Sequence, residues 1–480
     1  MVVYVPPKQA GKYKAVASGA ITNGKPVFVN STGTVSQVSG SSTSAGSEQV
    51  FYSAAIGALH IGTTFDSNSN RVVIVYKDDT NSGYGTARVG TIDSSDNSVS
   101  FGTAVVFNSN SSSYNAPIFD SSDNKVVIAI RQNGGTAVVG TVDPSDNSIS
   151  FGSLAQFETG NADFTAATYD SNADRTVIAY SDSGNSSHGT AIVGTVSGTS
   201  ISYGSAAVFE SAQVSSVSAT FDSSNNKVVI AYRDHGNSDH GTAIVGTVSG
   251  TSISFGTAVV FNSATTTGVR CTFDSNSNKV FISFDEHSGN TIKGIVGTVS
   301  GTGISFGTAV QIEPALATSN YTATGFDSST NKVIVVYGDS GDSNKGKVSV
   351  GTISDTSVSF ETPVEFNAGA TEMGYNSTGV AFDSNVNRFL VAYNDGGNSQ
   401  YGTTAVIQTS STNLTTASAE GFIGIASGGT YADTAEATID VVGTVNKDQS
   451  GLTAGQTYYV QTDGTLGTSA DSPSVIAGTA

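Results

Sequence analysis

Apolar residues in this chain fall in short runs, each about 6–10 residues long and rich in Val, Ile, Phe and Thr, between clusters of Ser, Asn, Asp and Gly. No stretch sustains an apolar period of 3.6 residues, so strands are expected and helices should be few. One phrase recurs seven times: an aromatic residue, Asp-Ser, a short polar turn, then a second apolar run. The copies read FDSNSNRVVIVYKD, FDSSDNKVVIAIRQ, YDSNADRTVIAYSD, FDSSNNKVVIAYRD, FDSNSNKVFISFDE, FDSSTNKVIVVYGD and FDSNVNRFLVAYND. Their aspartates are Asp66, Asp120, Asp170, Asp222, Asp274, Asp327 and Asp383, at intervals of 54, 50, 52, 52, 53 and 56 residues. A fixed period of about 50 residues is the mark of a repeat architecture.

Each repeat carries four strand-like runs. In the fourth they are SVSATFD, KVVIAYRD, GTAIVGTVSG and SISFGTAVVF. The first turn reads D-S-x-x-[ND]-[KR], and its aspartate is suited to accept a backbone N–H two residues on. The turn between third and fourth strands is SGTS or DSSDNS. Val228, Val229, Ile230 and Ala231 make the second strand apolar on both faces, as a sheet covered on both sides requires. Gly194, Gly246 and Gly297, inside the third strands, are expected to let neighbouring sheets approach closely. Four antiparallel strands repeated seven times describe an all-β, seven-bladed β-propeller. A two-sheet sandwich offers no reason for seven equal units. A solenoid does, and is the rival fold, but it needs capping ends.

The ends of the array favour closure. The last repeat has a third strand at 402–409 and no fourth. Upstream of the first repeat, Phe51 precedes Asp66 by 15 residues, where Phe107, Phe157, Phe209 and Phe261 precede their aspartates by 13. An N-terminal strand would thus complete the last blade and leave no open edge. The expected domains are 45–410 for the propeller and 1–44 with 411–480 for a small β domain. Both flanks carry Asn-Gly, Asp-Gly and Gly-Gly turns, and neither is long enough to hold a core easily alone.

The phrases AITNGKPVFVNSTGTV, FIGIA and GLTAGQTYYVQTDGTL resemble capsid-decoration and tail- or fibre-type proteins of tailed bacteriophages, marine phages especially. The repeats FDSNSNKV and GTAIVGTVSGTSISFG are similar to propeller-bearing proteins of such phages. The resemblance touches most of the chain. It implies a virion component whose terminal domain anchors to other virion proteins of the capsid or tail while the propeller projects outward. Projecting phage proteins are often trimers, which admits a homo-oligomer.

Composition narrows the partners. The net charge of −19 disfavours nucleic acid and anionic membranes. No apolar stretch reaches 18 residues, so no membrane-spanning helix is expected. The start, MVVYVPPKQAGKYK, lacks the layout of an export signal. Cys271, the single cysteine, excludes an internal disulfide and reads as a small buried hydrophobe.

Chemistry is sparse. The D-S-N-S-N turn superficially matches a calcium loop. However, Arg71, Lys125, Arg175, Lys227, Lys279, Lys332 and Arg388 stand where that loop needs glycine, and no bidentate glutamate follows. A propeller glycosidase such as a sialidase carries a Trp in its repeat and needs three converging arginines. This chain has no Trp, and its turn arginines do not converge. No G-x-S-x-G, H-E-x-x-H or phosphate loop occurs. One constellation remains: His188, His235, His240 and His287 lie in loops between second and third strands of consecutive repeats. Asp182, Asp234, Asp239 and Glu286 are nearby, and Asp339 and Asp395 stand at equivalent positions. Such a group could bind a divalent metal or a polar glycan; the plain reading is polar loop chemistry. Tyr84 and Tyr401 sit where His188 and His240 do, which suggests a slot for a flat ring. The reading is a non-enzymatic virion component with no catalytic residues and no cofactor. The alternative is an adhesin that binds a host surface glycan or receptor.

Overall fold

The computed structural model describes residues 11–57, 60–287, 289–312, 321–372, 378–412, 421–441, 446–461, 463–470 and 474–480. Residues 1–10, on which the reading of the chain start rests, lie outside them. The described residues form antiparallel strands and short 3-10 turns, with no α-helix among them. They divide into two compact units, residues 44–408 and residues 1–43 with 409–480.

In the larger unit the fourth repeat shows the common pattern. The C-terminal part of Ala207–Asp222 pairs with Lys227–Asp234, which pairs with His240–Ser249. Two segments then share the far edge of that third strand, Ser252–Phe255 and the start of Val259–Asp274. The expected single fourth strand SISFGTAVVF is therefore broken at 256–258, and its second segment runs without interruption into the first strand of the next repeat. At the break the chain passes close to the next repeat. A Cβ on Gly256 would lie 1.9 Å from the carbonyl oxygen of Thr302, in the third-to-fourth turn of the next repeat. Gly102, Gly152, Gly204 and Gly307 face the following repeat in the same way, at 1.9–2.0 Å.

These, rather than Gly194, Gly246 and Gly297, are glycines at which neighbouring repeats approach closely. A Cβ on Gly246 would strike Ile253 and Phe255 of its own sheet. Gly246 is the register partner of Phe255, so the glycine clears space for the ring opposite.

The D-S-x-x-[ND]-[KR] turn forms as its residues dictate. In all seven copies the aspartate accepts N–H bonds from the residues two and three positions on, at 2.8–3.3 Å. The residue four positions on is left-handed each time: Asn70, Asn124, Asp174, Asn226, Asn278, Asn331 and Asn387, with φ between 53° and 58°. Asn and Asp tolerate that conformation better than other residues with a Cβ, which accounts for the [ND] of the motif.

The core lies between repeats, not within them. The pleat sends alternate side chains of one strand to opposite faces. Val228 and Ile230 join a cluster with Val177 and Ala179 of the third repeat, whereas Val229 and Ala231 join one with Val280 and Ile282 of the fifth. Clusters of this kind join each repeat to its successor. One further cluster joins Leu390, Ala392 and Val406 of the seventh repeat to Val72, Ile74 and Tyr76 of the first. Gln49–Ala55 pairs antiparallel with Tyr401–Gln408.

The smaller unit interleaves both chain ends in one antiparallel sheet. Its order is Lys12–Val16, Glu436–Val441, Phe422–Ala426, Pro26–Val29 and Val35–Gln37. Ala17, Ile21, Val27, Val35, Ala426, Ala437 and Ile439 form its core, so neither end segment holds that core alone.

Asp222→Ala should lower stability by about 2 kcal/mol, since it strands two turn N–H groups, with Asp222→Asn recovering most of it. Gly256→Ala should cost about 3 kcal/mol or more because backbone must move. Urea unfolding of the three variants checks the order; an unchanged midpoint for Gly256→Ala would contradict the contact described.

Candidate functional site

The loops that carry the histidines are built on a second aspartate turn. Five of the seven second strands end in an aspartate followed by a single turn of 3-10 helix: Asp79–Asn81, Ser183–Asn185, His235–Asn237, Ser340–Asp342 and Gly396–Asn398; those of the second and fifth repeats end in Arg131 and Glu286. Two left-handed residues then return the chain to the third strand, for example Ser186 and Ser187, or Ser238 and Asp239. The aspartates cap this turn. Asp182 accepts from the Asn185 N–H at 3.2 Å, Asp234 from Gly236 at 2.9 Å and Asp339 from Gly341 at 2.9 Å. Asp78, which the sequence reading left out, does the same with Thr80 and Asn81. Asp395 makes no such cap; Asn367 Nδ2 donates to it at 3.4 Å. All five aspartates are buried. Burial, reinforced by the Glu158 carboxylate, raises the Asp182 carboxyl above its ordinary range. Asp339 also pairs with Lys347.

His188 and His240 open their third strands, directly opposite Asp182 and Asp234 in the ladder. Tyr84, Lys345 and Tyr401 occupy the equivalent place opposite Asp78, Asp339 and Asp395. The slot is therefore not reserved for a flat ring, because Lys345 fills it in one repeat. His287 sits in a shorter loop of different shape, exposed, with its N–H bonded to Thr265 O. Among the described residues, ligand atoms close enough to share one cation come from Asp120, Asp123 and Asp174, in the first-to-second turns; none of the loop histidines belongs to that group.

His235 has a different environment. Its Nδ1 lies 2.6 Å from Asp239 Oδ1 and its Nε2 lies 2.9 Å from Ser215 Oγ. Arg233 Nη2 pairs with the other oxygen of Asp239 at 2.7 Å. The Arg233 hydrogen bond holds the Asp239 carboxyl below the usual carboxylate range.

A second group escaped the sequence reading. Six residues before the first six repeat aspartates stand His60, Tyr114, Phe164, Ser216, Gly268 and Tyr321. In the second to fifth repeats this residue sits at a register break with φ between 50° and 58°. Tyr114 and Phe164 hold that conformation despite bulky side chains, an arrangement that costs energy and points to a role. The rings touch in series: His60 and Tyr114 have centroids 5.8 Å apart, Tyr114 and Phe164 5.3 Å. Arg131 lies over the Tyr114 ring at 5.9 Å and pairs with Asp163 at 2.7 Å. The available sequence signal was the fixed offset from the aspartate, because the four ring-bearing positions carry His, Tyr, Phe and Tyr rather than one residue type. Next to this group, a cavity of about 170 Å³ is bordered by the first strands of all seven repeats, with Gly62, Ala116, Ala166, Ser218, Arg270, Thr324 and Gly379 among its lining.

Burial, with Lys77 and Arg131 adding to it, lowers His60 from its ordinary 6.5 to about 3. The ring is therefore neutral near pH 7, and its Nδ1 accepts the Tyr114 N–H at 3.1 Å.

No protein-family model matches the chain, and no curated protein does. Solved structures do align with it. A protein of unknown function from Dyadobacter fermentans aligns at 13% identity over 76% of this chain and 99% of its own, with a TM-score of 0.44. The periplasmic gluconolactonase of Pseudomonas aeruginosa aligns at 9% identity over 75% of this chain and 97% of its own, with a TM-score of 0.47. A Lactobacillus plantarum protein aligns at 12% identity over 69% and 94%, with a TM-score of 0.46.

Between pH 6.5 and 3 the unfolded chain protonates His60 and the folded chain does not. The unfolded state then binds more protons, so this residue makes stability fall as pH drops through that window. His60→Asn keeps an acceptor for the Tyr114 N–H and removes the titration. Thermal melts between pH 6.5 and about pH 4 should show a shallower fall for the variant than for the unaltered chain. Parallel curves would refute the assignment.

Proposed function

We propose that residues 44–408 form a seven-bladed β-propeller closed by the strand Gln49–Ala55. Three observations support closure at the junction of seventh and first repeats, and each repeats a contact made between internal neighbours. An apolar cluster spans the junction, like those between consecutive repeats. Arg388 Nε donates to Asn97 Oδ1 at 2.9 Å across it, as Arg71 Nε donates to Asn147 Oδ1 at 2.5 Å between the first and second repeats. Gly46 faces Asn97 as Gly102 faces Asn147. A solenoid would leave the first and last of these surfaces uncovered.

On this scaffold the chain serves as a structural component of a tailed-phage virion, a capsid-decoration, head-fibre or tail-associated protein. The observation that carries this reading is the interleaving of both chain ends in one sheet. It makes the propeller a single insertion in a small β unit whose phrases resemble phage virion proteins, the arrangement suited to anchoring by one unit and display of the other. The partners are then other virion proteins. An adhesin role is the second reading, favoured by the strained rings of Tyr114 and Phe164 beside Arg131 and Asp163. Aromatic faces flanked by polar side chains suit a host glycan.

Mass spectrometry of gradient-purified particles should find the chain at many copies per particle; its absence from intact particles would remove the virion role. For the adhesin reading, glycan-array signal should fall at least about tenfold in Tyr114→Ala, a loss of about 1.4 kcal/mol in binding. Unchanged signal in that variant would remove the ring cluster from recognition.

A further inference from the structure

We propose that Ser215, His235 and Asp239 form a nucleophile, base and orienting acid that hydrolyse small acyl esters. The geometry supplies each contact such a relay needs. Asp239 Oδ1 accepts from His235 Nδ1 at 2.6 Å, which leaves Nε2 to accept the Ser215 hydroxyl at 2.9 Å. Arg233 stands directly opposite Ser215 across the strand pair, and its Nε–H has no partner among the described residues. It is a donor beside the nucleophile for the negative charge that develops on an attacked carbonyl oxygen. Ser215 precedes Ser216, left-handed at φ 50°, so the hydroxyl sits on a strained bulge, a placement often found at functional residues.

The turn itself does not require these residues. The counterparts of His235 are Asp79, Ser183, Ser340 and Gly396, and those of Asp239 are Gly83, Ser187, Asn344 and Gln400. All of them form the same turn. Ser113, Asp163 and Thr267 stand where Ser215 does. Among the described residues only the fourth repeat unites the three side chains, which marks them as an addition to the scaffold and departs from the expectation of a chain without catalytic residues.

In the first step Ser215 Oγ bonds to the ester carbonyl carbon as its proton passes to His235 Nε2. The carbon–alkoxy bond then breaks and the departing oxygen takes that proton. Water repeats the sequence on the acyl-serine, releasing a carboxylic acid and restoring the hydroxyl. Ser215 is only 8% exposed. The acyl group must therefore be small, of acetyl size, and a peptide backbone cannot reach it.

The test uses the full chain. Methanesulfonyl fluoride, whose reacting group is no larger than acetyl, should form an adduct that peptide mass spectrometry maps to Ser215, and p-nitrophenyl acetate should be turned over. Ser215→Ala should lower that turnover at least about 100-fold, and His235→Asn should slow adduct formation to a similar degree. Equal turnover in Ser215→Ala, or no adduct on Ser215 at saturating reagent, would reduce the three residues to a structural hydrogen-bond network. Mapping the adduct on the unaltered chain decides the matter even where a variant fails to fold.

Discussion

Everything in the larger unit depends on one strand serving two cores. Val228 and Ile230 point to one neighbour, Val229 and Ala231 to the other, and all four are fully buried. Complete burial of a Val or Ile contributes about 2 kcal/mol, so a repeat deprived of one neighbour forfeits about half of what holds it. No repeat can be stable alone, and the first and last need covering as much as the rest. The apolar surface of Leu390 and Ala392 meets that of Val72 and Ile74 for this reason. In the propeller reading, ring closure satisfies a requirement that each second strand already carries.

The same constraint shapes the polar chemistry. Sheets packed on both faces leave side chains free to act only at their ends, and there the first claim on an aspartate comes from the backbone. Asp66 and its six counterparts hold one set of turns, and Asp78, Asp182, Asp234 and Asp339 hold the other. Most of these carboxylates are buried with N–H groups in place, which leaves them little capacity to bind a metal or a sugar. A group of aspartates recurring on adjacent loops is, in this fold, a signature of turns.

This explains what could and could not be read from the residues. The strands, the period and the first turn were legible because each rests on local chemistry: apolar runs, an Asp that accepts its own following amides, an Asn that tolerates the left-handed region. The need for glycine at Gly256 was not, because the atom it faces is a carbonyl of the next repeat, 46 residues on at Thr302. The role of Gly246 was misjudged for a related reason: its obstacle, Phe255, lies across the sheet in register, and a glycine alone does not say which face is crowded. The histidines looked like a set because their loops are equivalent. Their surroundings differ, with His188 and His240 at strand starts, His287 exposed and His235 bonded on both ring nitrogens.

In a repeat protein the informative residues are those where one copy departs from its siblings without need. The Asp-turn positions vary little because the backbone fixes them. The residue after the capping aspartate is free to vary, and it does: Asp79, Ser183, His235, Ser340 and Gly396. Of these His235 alone reaches a hydroxyl on one side and a carboxylate on the other. Tyr114 and Phe164 are a second departure, rings placed in a conformation that Gly268 adopts at no steric cost. Both departures lie at the ends of the first strands where the second strands finish, as the pairings of Ser113 with Arg131 and of Ser215 with Arg233 require. Seven similar units supply the frame; chemistry, where this chain has any, collects at that end of it.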